Sequence, residues 1–370
     1  MVEWKKLGEI ANITIGEFVH RDKQNPKAKY PVYNGGTTYT GFYEYYNNTG
    51  NKIVISARGY AGFVNRVFDN YWAGNSSYSI DINNSKVLWH FVYYYLKNEQ
   101  YNIMSMQQKG GGLAAISKKQ VQELLIPIPS LSEQQRIVSI LDTFTSSISN
   151  LKQQIEERRK QYEYERDLLL DLEGKEGVEM KKLGEVVSSD CSLSYGIVQP
   201  GDDVIDGVPV VRPVDLISNY VKLDGLKKTE RQISESYKRT ILKGNEILFC
   251  VRGTTGIMGL ATNELKGCNV TRGIVPISFD DELTKIFVYY QLKGFRLQKV
   301  IDEKTNGTAL KQINIKDLRL LNLFFPPLST QSRIVSILDT FEQSIANLEE
   351  QLAMREKQYE YYRNQLLTFE

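Results

Sequence analysis

The chain has 370 residues, with 46 Lys and Arg against 44 Asp and Glu for a net charge of +2, and only 3 Cys and 2 His. That length is enough for two cores plus long helices, and the scattered Cys and His match no metal-site spacing. The opening M-V-E-W-K-K-L-G-E-I lacks a signal-peptide pattern and no apolar run nears 18 residues, so a reduced, cytoplasmic, non-membrane protein is expected.

The first globule is expected over residues 1–130. Tyr30 to Tyr46 reads as short β-segments around a turn at Asn34-Gly35-Gly36. Ile53 to Ala57 is a buried strand ahead of Arg58-Gly59, and a second strand falls near Phe63 to Phe68. Val87 to Lys97 has the length and aromatic content of a helix laid against this sheet. Lys109-Gly110-Gly111-Gly112 reads as a mobile loop whose glycines let the backbone approach a partner closely. Pro127 and Pro129 end the globule and set up entry into a long helix.

That helix is expected over 131–173. Ile137, Leu141, Phe144, Ile148, Leu151, Ile155, Arg158, Tyr162, Glu165, Leu169 and Leu172 follow at alternating steps of four and three, a heptad seam. Ser132 stands ready to cap it. A short joint over 174–178 leads to a second globule over 179–328, with a strand at Ile247–Val251 before Arg252-Gly253 and a helix at Asp281–Leu292. A second long helix, 329–370, carries the seam Ile334, Leu338, Phe341, Ile345, Leu348, Leu352, Arg355, Tyr359, Tyr362, Leu366 and Phe369, with Ser329 as its cap. At 1.5 Å per residue each helix would span roughly 55–60 Å.

The second half repeats the first. S-L-S-E-Q-Q-R-I-V-S-I-L-D-T-F ends at Phe144, and P-L-S-T-Q-S-R-I-V-S-I-L-D-T-F ends 197 positions later at Phe341. K-Q-Y-E-Y at 160–164 recurs at 357–361. W-K-K-L-G-E-I at 4–10 recurs as M-K-K-L-G-E-V at 180–186, and N-K-I-V-I-S-A-R-G at 51–59 as N-E-I-L-F-C-V-R-G at 245–253. The offset drifts within the globules and stays fixed in the helices, so the insertions fall in loops. The fold class expected is mixed α+β, with two pseudo-repeated globules separated by two long antiparallel coiled-coil helices.

Charge is unevenly shared. Residues 133–173 hold 6 Lys and Arg against 9 Asp and Glu, and residues 330–370 hold 4 against 7, which leaves the globules with a surplus of +8. The globules, not the helices, are where a polyanion would be met. No Walker A loop, dinucleotide fingerprint, H-E-x-x-H or nucleophile elbow is present, so no autonomous enzyme is expected. Two unlike heads on a paired-helix spacer suit a DNA duplex with two unlike half-sites. The candidate contacts are Asn34, Thr37, Tyr39, Arg58, Tyr60, Arg66 and Lys109 in the first head, and Arg212, Arg252, Thr254, Arg272, Lys304 and Asn306 in the second. Arg and Lys serve phosphate or guanine, and Asn reads adenine. A bland reading competes at each position, because an Arg after a strand commonly stabilises the fold and a Tyr more often packs than stacks on a base.

The chain resembles the DNA sequence-specificity (S) subunits of type I restriction–modification systems. The resemblance rests on K-K-L-G-E-I/V at each globule start, Y-P-V-Y-N-G-G at 30–36, the R-G turns at 58–59 and 252–253, and the I-P-I-P-S-L-S-E-Q-Q-R-I and F-F-P-P-L-S-T-Q-S-R-I junctions. It implies two target recognition domains that each read part of a split target. The helices would act as spacer and as docking surface for methyltransferase (M) subunits, two in number, with restriction (R) subunits joining them. S-adenosylmethionine, ATP and Mg2+ would then be used only in those partners, and this chain would hold neither cofactor nor metal. The competing expectation is a coiled-coil scaffold, or a silent specificity cassette, without sequence-specific DNA binding of its own.

Overall fold

A computed structural model describes residues 2–107, 114–305 and 311–369. The chain divides into two compact units, residues 1–153 with 349–370, and residues 154–348. Each unit is built on the same plan.

In the first unit the apolar run Lys52–Ser56 is an inner strand of a four-stranded antiparallel sheet, with Val64–Val67 on one side and Ser77–Ile82 on the other. Ala11–Ile15 completes the sheet beyond Ser77–Ile82. Side chains alternate across a strand, so Ile53, Ile55 and Ala57 enter one core and Val54 another. The first core lies against the helix Trp89–Asn98. The second is shared with Val67, Tyr71 and Ala73. There a smaller sheet pairs Tyr30–Tyr33 antiparallel with Gly41–Tyr43 and parallel with Trp72–Ala73.

The second unit divides its inner strand in the same way. Ile247, Phe249 and Val251 face the helix core, whereas Leu248 and Cys250 face Val211 and Val270. Its small sheet again has a parallel pair, Val210 opposite Asn269 and Val211 opposite Val270. The helix Glu282–Lys293 starts at Asp281, whose carboxylate accepts the Thr284 N–H at 2.8 Å.

The repeated K-K-L-G-E closes each globule. Glu3–Lys6 pairs antiparallel with Leu125–Ile128, and Glu179–Lys182 with Asn322–Phe325, the strands that lead into the long helices. Leu7 and Leu183 are fully buried. Glu9 and Glu185 accept the N–H groups of Lys6 and Lys182 at 3.3 and 2.9 Å, which holds one helical turn.

The long helices are Leu131–Leu169 and Leu328–Leu366. Ser132 and Ser329 therefore lie inside the first turn and are not the caps expected from sequence. The Ser130 hydroxyl accepts the Glu133 N–H at 3.3 Å, and the Pro327 carbonyl accepts those of Thr330 and Gln331. Each helix begins earlier because the prolines ahead of it, Pro127 and Pro129 at the first junction and Pro326 and Pro327 at the second, deliver the chain from the strand directly into it.

A buried glutamine fixes each junction. The Gln134 amide donates to the carbonyls of Pro129 and Lys86 and accepts the Leu88 N–H at 2.8 Å. Gln331 donates to the Pro326 carbonyl at 2.8 Å, but its own oxygen is buried without a partner.

The seam residues divide into two groups. Ile137, Leu141, Ile334 and Leu338 are buried as members of the globule cores, because the first turns of each helix lie on its globule. Leu169 and Leu366 pack at the edges of those cores. Beyond them the helices pair antiparallel in each unit. In the first unit Phe144 stacks on Tyr362 at 5.4 Å, Tyr359 lies 6.4 Å from Phe144, and Lys152 meets Glu356 at 2.9 Å. In the second, Tyr162 lies 6.3 Å from Phe341 and donates to Glu342. Ile155 is buried, whereas Ile148, Leu151, Ile345, Leu348 and Leu352 are half-buried, since one partner helix covers only one flank. The two seam arginines find matching places, Arg355 over the Phe144 ring at 5.6 Å and Arg158 over Phe341 at 5.9 Å. Both stay half-buried, so neither carries the full cost of desolvating a charge.

Candidate nucleic-acid interface

At one edge of each unit, three loops meet where the small sheet abuts the large one. In the first unit the Asn34-Gly35-Gly36 turn leaves the strand Tyr30–Tyr33, and Gly35 adopts a φ of +78°. Its carbonyl accepts the Tyr60 N–H at 3.0 Å, and its own N–H donates to the Ser77 hydroxyl at 3.1 Å. A Cβ on Gly35 would lie 2.5 Å from the Arg58 carbonyl oxygen, so only glycine allows this approach. The Asn34 side chain accepts the Ser76 N–H at 3.0 Å and ties in the third loop.

The Arg58-Gly59-Tyr60-Ala61-Gly62 turn is a repeated device. Gly59 and Gly62 have φ of +75° and +88°, and Gly253 and Gly256 have +89° and +92°. The Gly62 N–H returns to the Ser56 carbonyl at 2.7 Å, as the Gly256 N–H returns to that of Cys250 at 2.9 Å. Arg58 pairs with Ala115 and Arg252 with Gln312 in isolated antiparallel bridges.

In the second unit the loop after Val208–Val211 brings Arg212 and Pro213 beside the Thr271-Arg272-Gly273 loop, where a Cβ on Gly273 would lie 2.7 Å from the Pro213 ring. The Val251 N–H donates to the Gly273 carbonyl at 2.8 Å, and the Gly253 N–H to Lys311 at 2.9 Å. Arg212, Arg252, Thr254 and Arg272 are thus carried on one loop cluster, as Asn34, Arg58 and Tyr60 are in the first unit.

These side chains differ in availability. Arg58, Tyr60, Thr254 and Arg272 are exposed. Arg252 is half-buried, and the Thr254 hydroxyl lies 3.4 Å from the Cys250 sulfur. Arg212 is held bidentately by Asp215 at 2.7 and 3.0 Å, a pairing that raises its already high pKa. Thr37 and Tyr39 sit in the adjoining hairpin turn, Tyr39 exposed and 4.9 Å from the Phe42 ring. Arg66 is not in the cluster. At the opposite end of its strand pair, it donates to Asp142 and the Tyr94 hydroxyl, both at 3.1 Å, and joins the globule to the long helix. Lys304 closes the helix Phe295–Lys304 and is half-buried. Lys109 and Asn306 lie outside the described residues.

Sequence reasoning overlooked Asn75. The parallel pairs place Trp72 opposite Val32 and Asn269 opposite Val210, so Asn75 holds the position in its loop that Arg272 holds in the second unit. Sequence alone gives no signal for it, because residues 72–76 share no identity with 269–273 and the offset between the copies drifts within the globules. Among the described residues no group of three His, Cys, Asp or Glu side chains could hold a metal ion, and Cys191, Cys250 and Cys268 are free thiols.

The profile of the type I restriction modification DNA specificity domain matches residues 1–158 and again 175–354. The chain belongs to this family. The two matches correspond to the two copies of the repeat. Among curated members, the type I restriction enzyme EcoBI specificity subunit of Escherichia coli is 25% identical over 73% of this chain and 61% of its own length. The EcoR124I/EcoR124II specificity subunit of Escherichia coli is 27% identical over 100% of this chain and 94% of its own. A putative specificity subunit of Haemophilus influenzae is 28% identical over 100% and 96%. The fold is that of the crystal structure of a type I restriction-modification S subunit from M. genitalium, at a TM-score of 0.70 and 17% identity, covering 100% of this chain and 97% of that one. The S-subunit family thus accounts for the duplicated plan, in which the paired loop clusters keep a common Arg-Gly-x-x-Gly turn and differ at Asn34 and Arg212, Tyr60 and Thr254, and Asn75 and Arg272.

Proposed function

We propose that this chain is the non-catalytic specificity subunit of a type I restriction–modification complex, and that its two loop clusters read the two unlike halves of a bipartite DNA target. The observation that carries this is the recurrence of one loop scaffold, with an arginine shared at positions 58 and 252 and different side chains around it, Asn34, Tyr60 and Asn75 in one copy and Arg212, Thr254 and Arg272 in the other. Equal scaffolds place contacts equivalently, and unequal side chains demand unequal bases. The long helices carry net negative charge and are unsuited to phosphate. They fit the role of spacer and of dock for two methyltransferase subunits and for restriction subunits. Adenine methylation with S-adenosylmethionine, and ATP- and Mg2+-dependent restriction, then belong to those partners. No helix among the described residues is long and apolar enough to cross a membrane. A cytoplasmic complex acting on duplex DNA is the setting we infer.

The test is to co-express the chain with its methyltransferase and map methylated adenines across the host genome. A motif of two different half-sites around a gap of fixed width is expected. Methylation without a split motif, or equal binding of the complex to scrambled duplexes, would overturn the reading in favour of a scaffold.

A further inference from the structure

In the second unit a single carboxylate joins the helix pair to a recognition loop. Glu342 on the second long helix accepts the Tyr162 hydroxyl of the first long helix at 2.9 Å and the Lys293 ammonium at 2.9 Å through one oxygen. Through the other it accepts the Asn219 side-chain amide at 2.7 Å. Asn219 in turn accepts from Lys293 at 3.0 Å and from the Tyr289 hydroxyl at 2.9 Å. Its backbone carbonyl accepts the Leu260 N–H at 2.6 Å, so the loop is tied to the sheet as well. This loop continues directly from Arg212 and its Asp215 partner. Glu342 and Lys293 are largely shielded, with 18% and 23% of their side chains exposed, so the interactions are stronger than those of a surface pair.

The first unit lacks this arrangement. Position 145, equivalent to 342 in the repeat, is a threonine whose hydroxyl donates to the Asp142 carbonyl. Lys97, equivalent to Lys293, donates instead to the Val64 carbonyl and to Gln100. The contact that both units share is Tyr94 to Asp142 and Tyr290 to Asp339. The Glu342 network is therefore an addition to the common plan, present where the long Val211–Lys227 connection has to be held.

We infer that Glu342 is a positioning residue for DNA discrimination, fixing the Asn219 loop, and with it the Arg212 contact, relative to the helix pair. This rests on the proposed reading of split DNA targets. Loss of the carboxylate frees the loop to adapt to more than one base, so one half-site blurs while the other stays sharp.

The test uses the full chain with its methyltransferase, comparing methylated motifs for the parent, Glu342→Gln, Asn219→Ala and the exchanged pair Lys293→Glu with Glu342→Lys. Glu342→Gln is expected to raise methylation at near-cognate versions of one half-site about tenfold, with the other half-site unchanged as internal control. The exchanged pair should blur the same half-site, because an ammonium at position 342 cannot accept from Tyr162 and the Asn219 amide, and a sharp motif in it would count against the inference. If Glu342→Gln abolishes all methylation, Asn219→Ala decides, because it releases only the loop and should blur the same single half-site. Sharp motifs in both Glu342→Gln and Asn219→Ala, or equal blurring of both half-sites, would overturn the inference. A parent with no split motif would instead count against the function itself.

Discussion

Glutamines 134 and 331 occupy the same position in the repeat but are not equally satisfied. Gln134 uses both ends of its amide, whereas the Gln331 oxygen is buried without a partner. Removing Gln134 strands the Leu88 N–H and two carbonyls, which costs about 2–4 kcal/mol. Removing Gln331 strands one carbonyl and also deletes an unpaired oxygen, so its cost should be about 1 kcal/mol. Hydrogen exchange of core amides in each unit, for Gln134→Ala and Gln331→Ala, would measure the two separately. Lys97 gives a pH signature. Burial lowers its ammonium from the usual 10.5 to about 8. The unfolded chain then binds the proton more tightly than the folded one between those values, so stability rises with pH from about 8 toward 10.5 and the penalty is complete below 8. Relative to Lys97→Met, the parent is expected to gain thermal stability between pH 8 and pH 9.5. A constant difference between the two melting curves would refute this. Glycine supplies a third contrast. At Gly35 an added Cβ meets backbone at 2.5 Å, while at Gly253 it meets nothing within 4 Å. Gly253→Ala should therefore cost only its positive φ, about 1 kcal/mol, and Gly35→Ala clearly more, as read by denaturant melts.

Among the elements, the long helices are the clearest in the sequence and the sheets the least clear. Heptad spacing and the fixed offset of 197 mark the helices before any coordinates. The apolar strands Lys52–Ser56 and Ile247–Cys250 likewise stand out. The strand Ser77–Ile82, placed between Ala11–Ile15 and Lys52–Ser56, does not, because its Ser77 and Ser79 read as polar. Both are buried, and their hydroxyls are satisfied by the Gly35 N–H and the Tyr71 hydroxyl. Such pairing across distant segments leaves no local pattern. The same holds for the candidate contacts. Glycine turns and neighbouring arginines are visible as types, but that Arg66 turns to Asp142 and Arg212 to Asp215 is decided only by packing. Nor does a heptad pattern say which positions face a globule and which face a helix. Leu141, fully enclosed, should lose about 2–5 kcal/mol on change to Ala, and half-covered Ile148 markedly less. Thermal unfolding of Leu141→Ala and Ile148→Ala would rank them, and equal losses would contradict this division of the seam.

For the molecule as a whole, the duplication matters more than either half. Outside the globules the two copies keep Arg158 and Arg355, Tyr162 and Tyr359, and Asp142 and Asp339 in register, while the loops diverge around a constant frame. If the helices set the distance between half-sites, one added turn at matched positions in both should change the width of the unspecified gap and leave the half-site bases as they were. Methylome sequencing of that variant checks it, and an unchanged gap would remove the spacer role.

The enclosure of Ile137, Val138 and Leu141 within the first globule, and of Ile334 and Leu338 within the second, has a practical side for anyone who would graft one reading head onto another scaffold. A splice made at the proline that precedes a long helix would leave the transplanted head without the floor of its interior. The seam for such surgery lies three turns further on, beyond Leu141 or Leu338, so each head has to travel with the root of its own stalk.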